Sequence, residues 1–192
     1  MPGPRLLTLI RHGQTEWSAT GRHTSRTDVP LTAEGKAQAE RLGQVLADRS
    51  FALVLTSPRR RAVDTAALAI GDRHEVLVDE RLAEWDYGAY EGRTTAEIRD
   101  AVPGWTVWTH RCPGGETAAE VGVRADAVLE RCRRVAGDVA LVGHGHLLRV
   151  LTARWLGLAP TDGRLFVLDP AAMSELGHER ETQAIVRWNL SP

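Results

Sequence analysis

The chain has only two cysteines, Cys112 and Cys132. They are too widely spaced for a CxxC metal or redox site and too few for a disulfide scaffold, so a reduced, cytoplasmic setting is expected. Long apolar runs are missing too. The opening MPGPRLLTLIRHG offers only Leu6 to Ile10 before charge returns, too short for the core of a signal peptide, and no stretch approaches transmembrane length. There is no repeat, low-complexity segment or long linker. Net charge nearly vanishes, at −1, which predicts neither a nucleic-acid nor a membrane partner. Lysine is almost absent: Lys36 stands alone among 24 basic residues, and the other 23 are arginine. Arginine's rigid fork suits phosphate. A bias spread over the whole chain, in company with abundant alanine, reads instead as a coding habit. An arginine therefore counts only where its local context is special.

What is present is enough for a core. At 192 residues with 43% hydrophobic content, the chain is expected to form a single domain over 1–192. Short β-compatible runs at 6–10, 52–55, 76–78 and 139–142 alternate with helical patterns, and further strands are predicted at 164–168, 173–178 and 184–188. Thr32 reads as the cap of a helix to about Ala47, and Ser57-Pro58 as the opening of another to about Ile70. Thr94-x-x-Glu97 and Thr117-x-x-Glu120 have the form of capping boxes. After the second, Val121, Ala125, Val128, Cys132 and Val135 make one apolar stripe. Alternating strands and helices predict an α/β fold, a three-layer α/β/α sandwich with a mostly parallel central sheet.

In such sheets ligands bind beyond the C-terminal strand ends. The four loops there carry Arg11-His12-Gly13, then Arg59, Arg60 and Arg61, then Glu84 and Glu91, and finally GHGHLLR with His144 and His146. Any one of these reads as ordinary surface. Four at one sheet edge do not. In one reading His12, His144 and His146 with Glu84 bind zinc or a similar ion. Against it, the two late histidines bracket a glycine in a loop, and the neighbouring arginines repel a cation. In the other, a histidine is the nucleophile in phosphoryl transfer. Arginines and a second histidine then hold the phosphoryl oxygens, and a carboxyl group protonates the leaving group without metal or other cofactor. The helix after Gly145 is expected to lend its N–H groups to the anion.

Five segments in order resemble the histidine phosphatase superfamily, in its phosphoglycerate mutase-like branch. They are LIRHGQTEWS with the following DVPLTAEG, TSPRRRAVDTA, LAEWDYGAYEG, CPGGET and VGHGHLLRVL. The resemblance covers nearly the whole chain and implies a phosphoglycerate mutase-like fold. It also implies His12 as a nucleophile that becomes phosphohistidine, Arg11, Arg61 and His144 around the phosphoryl group, and Glu84 as general acid and then base. Gln14, Thr15, Ser18, Thr24, Ser25, Tyr87, Gly145 and His146 are carried over as phosphate- or substrate-binding positions. Ser18 replaces the usual asparagine, and Thr24-Ser25 stands where many relatives have a glycine. Glu91 reads as structural, Arg59 and Arg60 as a solvated face, and His146 as a pocket wall.

Mutases of this kind usually carry a long insertion after the acidic residue, with basic side chains that grip the substrate carboxylate. Here residues 85–112 alone separate Glu84 from PGGE, with Arg93, Arg99, His110 and Arg111 as the basic residues and Trp105 and Trp108 among them. A phosphomonoesterase acting on a small phosphorylated metabolite, such as a sugar phosphate, is the favoured expectation. The two tryptophans would be either an aromatic entrance or ordinary packing. The motifs together are most similar to actinobacterial acid phosphatases and sedoheptulose-bisphosphatase-type enzymes. A 2,3-bisphosphoglycerate-dependent mutase and a non-catalytic phospholigand-binding protein are the alternatives. Relatives are often dimers, so a homodimer is an open expectation.

Overall fold

The computed structural model describes residues 6–192, so MPGPR at the start of the opening segment lies outside the described residues. Strands β1 (Leu7–Arg11), β2 (Leu53–Thr56), β3 (Val76–Val78), β4 (Val139–Gly143), β5 (Met173–Glu179) and β6 (Thr182–Leu190) form one sheet in the order β3-β2-β4-β1-β5-β6. The first four are mutually parallel, and β5 and β6 add an antiparallel hairpin beside β1. The helices are α1 (Glu16–Ala19), α2 (Ala33–Val45), α3 (Arg60–Ala69), α4 (Thr95–Arg99), α5 (Ala118–Arg133) and α6 (Gly145–Trp155).

The alternation of side chains along each strand divides the core into two layers. Leu7 and Leu9 of β1, with Val139 and Leu141 of β4, face α5 and α6. Ile10, Ala140 and Val142 face the opposite way, toward α2 and α3. Both faces of the central strands are therefore covered, which is the expected three-layer sandwich. The stripe predicted on α5 buries Val121, Ala125, Val128 and Cys132. Thr94 and Thr117 close reciprocal capping boxes with Glu97 and Glu120.

Two expectations need correction. Residues 164–168 are not a strand: Pro160–Leu165 is a 3-10 turn. Pro160 opens the turn, and Leu165 and Val167 stay exposed while Leu168 is buried. A Cβ on Gly163 would meet Trp108 at 2.8 Å, so this backbone packs directly on the tryptophan. Helix α3 does not begin at Ser57-Pro58 either. Arg59 is its N-cap, without a side-chain cap bond, because the Ser57 hydroxyl is bonded to His144 Nε2 at 2.7 Å.

Candidate active site

The parallel strands β1, β2 and β4 deliver their C-terminal loops to one place. The His12 N–H donates to the Gly143 carbonyl at 3.0 Å, which continues the β1–β4 pairing one residue past the strand end. His12 Nδ1 lies 2.8 Å from the Gly13 carbonyl. A carbonyl only accepts, so Nδ1 carries the proton and Nε2 keeps its lone pair. Burial, then Arg61 and Arg11, hold the His12 pKa well below the usual histidine value, so the ring is neutral. The His144 ring stands edge-on to it, with centroids 5.1 Å apart.

Around this pair lie buried donors with nothing to bind. Arg61 is fully buried; its two terminal nitrogens donate to the carbonyls of Thr24, Ser25 and Thr27, which leaves Nε without a partner. Arg11 donates one terminal nitrogen to the Leu168 carbonyl, and its Nε is likewise unpartnered. The Ser57 oxygen accepts from the Arg59 N–H at 3.3 Å and sits against His144 Nε2. The hydroxyl proton is then free to go to Nε2, which puts the His144 ring proton on Nδ1, a buried atom with no partner. Leaving such donors unpaired costs about 1–3 kcal/mol each. Three of them beside a neutral imidazole form an anion site.

Glu84, which is buried, accepts three backbone N–H bonds. Oε1 takes those of Trp85 and Leu147, at 2.8 and 2.9 Å, and Oε2 takes that of His146, at 3.1 Å. The first turn of α6 therefore serves the carboxyl group, not the anion as expected from sequence, because Glu84 lies across its N-terminus. Oε2 keeps more free capacity than Oε1 for a proton exchanged with a ligand.

A cavity of about 170 Å³ opens onto these groups. Its lining includes the sequence candidates Arg11, His12, Ser18, Thr24, Glu84, Tyr87, Gly145 and His146. Gln14 and Thr15 are turned to other tasks: Gln14 bonds to Thr32, and the fully buried Thr15 forms a capping box with Ser18. Ser25, also buried, faces a neighbouring recess. Arg60 is exposed, as expected of a solvated face, whereas Arg59 is half-buried with an unpartnered Nε. The tryptophans pack instead of walling the entrance. Trp105 is buried against His23 and Tyr90, and Trp108 lies against His146 and Trp85. Sequence reasoning missed the lining residues Arg22, His23 and Arg149, and also Ser57 behind His144. Of these, Arg149 alone carried a signal, its place in GHGHLLR. Among the described residues, no three His, Cys, Asp or Glu side chains are grouped so as to hold a metal ion.

The supports explain several motif letters. Glu91 accepts the Ser25 and Thr27 N–H bonds, fixing the very carbonyls that Arg61 grips. Glu116 accepts from the Asp86 N–H and pairs with Arg124, whose guanidinium also reaches the carbonyls of Arg81 and Ala83 just ahead of Glu84. A Cβ on Gly13 would lie 2.3 Å from the Gly35 carbonyl oxygen, so the loop of the first motif rests directly on α2.

A family model described as the histidine phosphatase superfamily (branch 1) matches residues 7–191. An acid phosphatase of Mycobacterium tuberculosis is 45% identical over 96% of this chain and 92% of its own. A sedoheptulose 1,7-bisphosphatase of Saccharomyces cerevisiae is 36% identical over 81% of this chain and 68% of its own. A solved structure of a mycobacterial glucosyl-3-phosphoglycerate phosphatase complexed with VO3 superposes with a TM-score of 0.84 at 31% identity, covering 97% of this chain and all (100%) of that one.

Proposed function

This chain belongs to the histidine phosphatase superfamily, branch 1, and from that premise we propose that it hydrolyses a phosphomonoester of a small metabolite through a phosphohistidine on His12. The carrying observation is the set of buried, unpartnered donors, Arg11 Nε, Arg61 Nε and His144 Nδ1, around a neutral imidazole with a free Nε2. In the first step the Nε2 lone pair attacks phosphorus. The ester P–O bond breaks, and the leaving oxygen takes a proton from Glu84. In the second, water attacks the phosphohistidine and gives a proton to the Glu84 carboxylate, and the N–P electron pair returns to Nε2. The two arginines and His144 hold the equatorial oxygens, where charge is spread in the transition state. Tyr87, Ser18, Thr24, Gly145 and His146 contact the rest of the substrate. The relatives named for sedoheptulose 1,7-bisphosphate and glucosyl-3-phosphoglycerate support the substrate class, and a cytoplasmic setting and a homodimer belong to the same reading.

The protein is expected to hydrolyse p-nitrophenyl phosphate without added metal and to yield an acid-labile phosphoryl group on His12 after rapid quenching. His12→Ala should abolish both. Full turnover by His12→Ala would overturn the mechanism, loss on EDTA treatment would return the metal reading, and 2,3-bisphosphoglycerate-dependent isomerisation of phosphoglycerate would mark a mutase.

A further inference from the structure

Beyond the phosphate-binding donors, the cavity has cations to spare. Its lining holds Arg11, Arg22 and Arg149 against a single carboxylate, Glu84. Arg11 is engaged at the anion site, and Arg22 donates to the Gly92 carbonyl and lies 3.5 Å from Glu97. Arg149 differs from both. Its Nε donates to the Gly163 carbonyl at 3.0 Å and Nη2 reaches the Arg164 carbonyl at 3.4 Å, which leaves Nη1 uncommitted. The guanidinium also lies over the Trp108 ring, 4.7 Å from its centroid. Aromatic ring and carbonyls fix its direction, and no acidic side chain among the described residues lies within ion-pair distance of it. Burial lowers its pKa by more than the Glu84 carboxylate raises it, so the cation is incompletely compensated. A pre-aimed, partly desolvated arginine is costly unless an anion arrives.

We propose that Arg149 binds a second anionic group of the substrate, a carboxylate or another phosphate, and that the enzyme selects doubly anionic phosphoesters. This rests on the phosphomonoesterase reading above and names its substrate class. His146 and Arg149 are three residues apart on α6 and share a face. The same cavity is lined by His146, whose Nδ1 is 2.6 Å from the Tyr87 hydroxyl, and by His23, which packs on Tyr87 with ring centroids 4.7 Å apart. Neutral imidazoles and a phenol donate to or accept from hydroxyl groups, which fits a polyhydroxylated spacer.

The test compares kcat/KM for fructose 1,6-bisphosphate against fructose 6-phosphate, and for 3-phosphoglycerate against glycerol 3-phosphate. The wild type should prefer the doubly anionic member of at least one pair by about tenfold or more, the scale of a charge-assisted hydrogen bond. Arg149→Met should bring that ratio close to one, mainly through KM, and Arg149→Lys should keep part of it. Unchanged thermal unfolding of both variants would separate this from lost packing on Trp108. No preference in either pair, or a preference that Arg149→Met leaves intact, overturns the proposal. Failure of the wild type to hydrolyse any of the four esters would instead strike at the phosphomonoesterase reading.

Discussion

The floor of the cavity and its wall are built on different principles. The floor, His12, Arg11, Arg61 and His144, hangs on strand ends and the first turn of a helix. Three of its side chains are fixed by backbone, Gly13 for His12, Leu168 for Arg11 and three loop carbonyls for Arg61, and the fourth, His144, is held by the buried Ser57 hydroxyl. The wall, Arg22, His23, Tyr87, His146 and Arg149, comes mostly from loops; His23, Tyr87 and His146 hold one another by ring contacts and a side-chain bond, while Arg22 and Arg149 lean on loop carbonyls. Preorganisation against backbone suits a transition state that is the same for every phosphoester. A wall of mutually supporting side chains can be rebuilt for a new leaving group without disturbing the floor.

If the division is real, damage to the floor should fall on kcat. His144→Ala removes the buried Nδ1 donor proposed to hold the phosphoryl group and is expected to lower kcat by roughly 10²–10³ with little change in KM; steady-state kinetics on p-nitrophenyl phosphate reads it directly. Glu91→Gln tests the floor from one step away. The carboxylate that gathers the Ser25 and Thr27 N–H groups becomes a weaker acceptor, so the carbonyls gripping Arg61 loosen. A loss of about tenfold in kcat, with Glu91→Asp recovering less than the wild type, is expected of a positioning residue. A Glu91→Gln enzyme altered only in thermal stability would reduce Glu91 to a staple of the loop.

The same division decides what could be read from the chain. Floor residues were legible because each sits in a short motif at a predicted strand end, where sheet topology dictates convergence. His12 follows β1, Arg61 lies in the first turn of the helix after β2, and His144 follows β4. Ser57 was misread as a helix cap because a Ser-Pro pair usually is one; its bond to His144 spans 87 residues and has no local signature. The N–H groups of α6 were assigned to phosphate for a similar reason. A helix N-terminus signals an anion, yet nothing in sequence says that the anion is Glu84. The wall was legible only in Tyr87 and His146, which sit inside motifs. Arg22 and His23 belong to a loop whose path is set by contacts such as the Arg22 bond to Gly92. The apolar letters of 164–168 suggested a strand, but the backbone there packs on Trp108 and turns.

Changes in the wall should be milder and should appear in KM. His146→Ala keeps the helix N–H that Glu84 accepts, since that donor is backbone, and removes the imidazole bonded to Tyr87. A several-fold rise in KM and altered preference among sugar phosphates are expected, with kcat within about threefold of the wild type. An equal fall in kcat for His146→Ala and His144→Ala would erase the boundary between floor and wall.

The smallest effect concerns pH, and there floor and wall should act together. His12, His144 and His146 are all held well below the usual histidine pKa, chiefly by burial, with Arg61 next for the first two and Arg149 next for the third. In the unfolded chain each regains a pKa near 6.5. As pH falls through that value the unfolded chain takes up protons that the folded chain refuses, so stability is full above it and declines below it. Thermal unfolding should therefore show a Tm several degrees lower at pH 5 than at pH 7.5. Catalysis should not follow, because the His12 lone pair stays free until the much lower folded pKa is reached. A kcat that falls in step with an ordinary histidine titration would mean that the floor is wetter than its geometry implies, and the contrast with the wall would lose its physical basis.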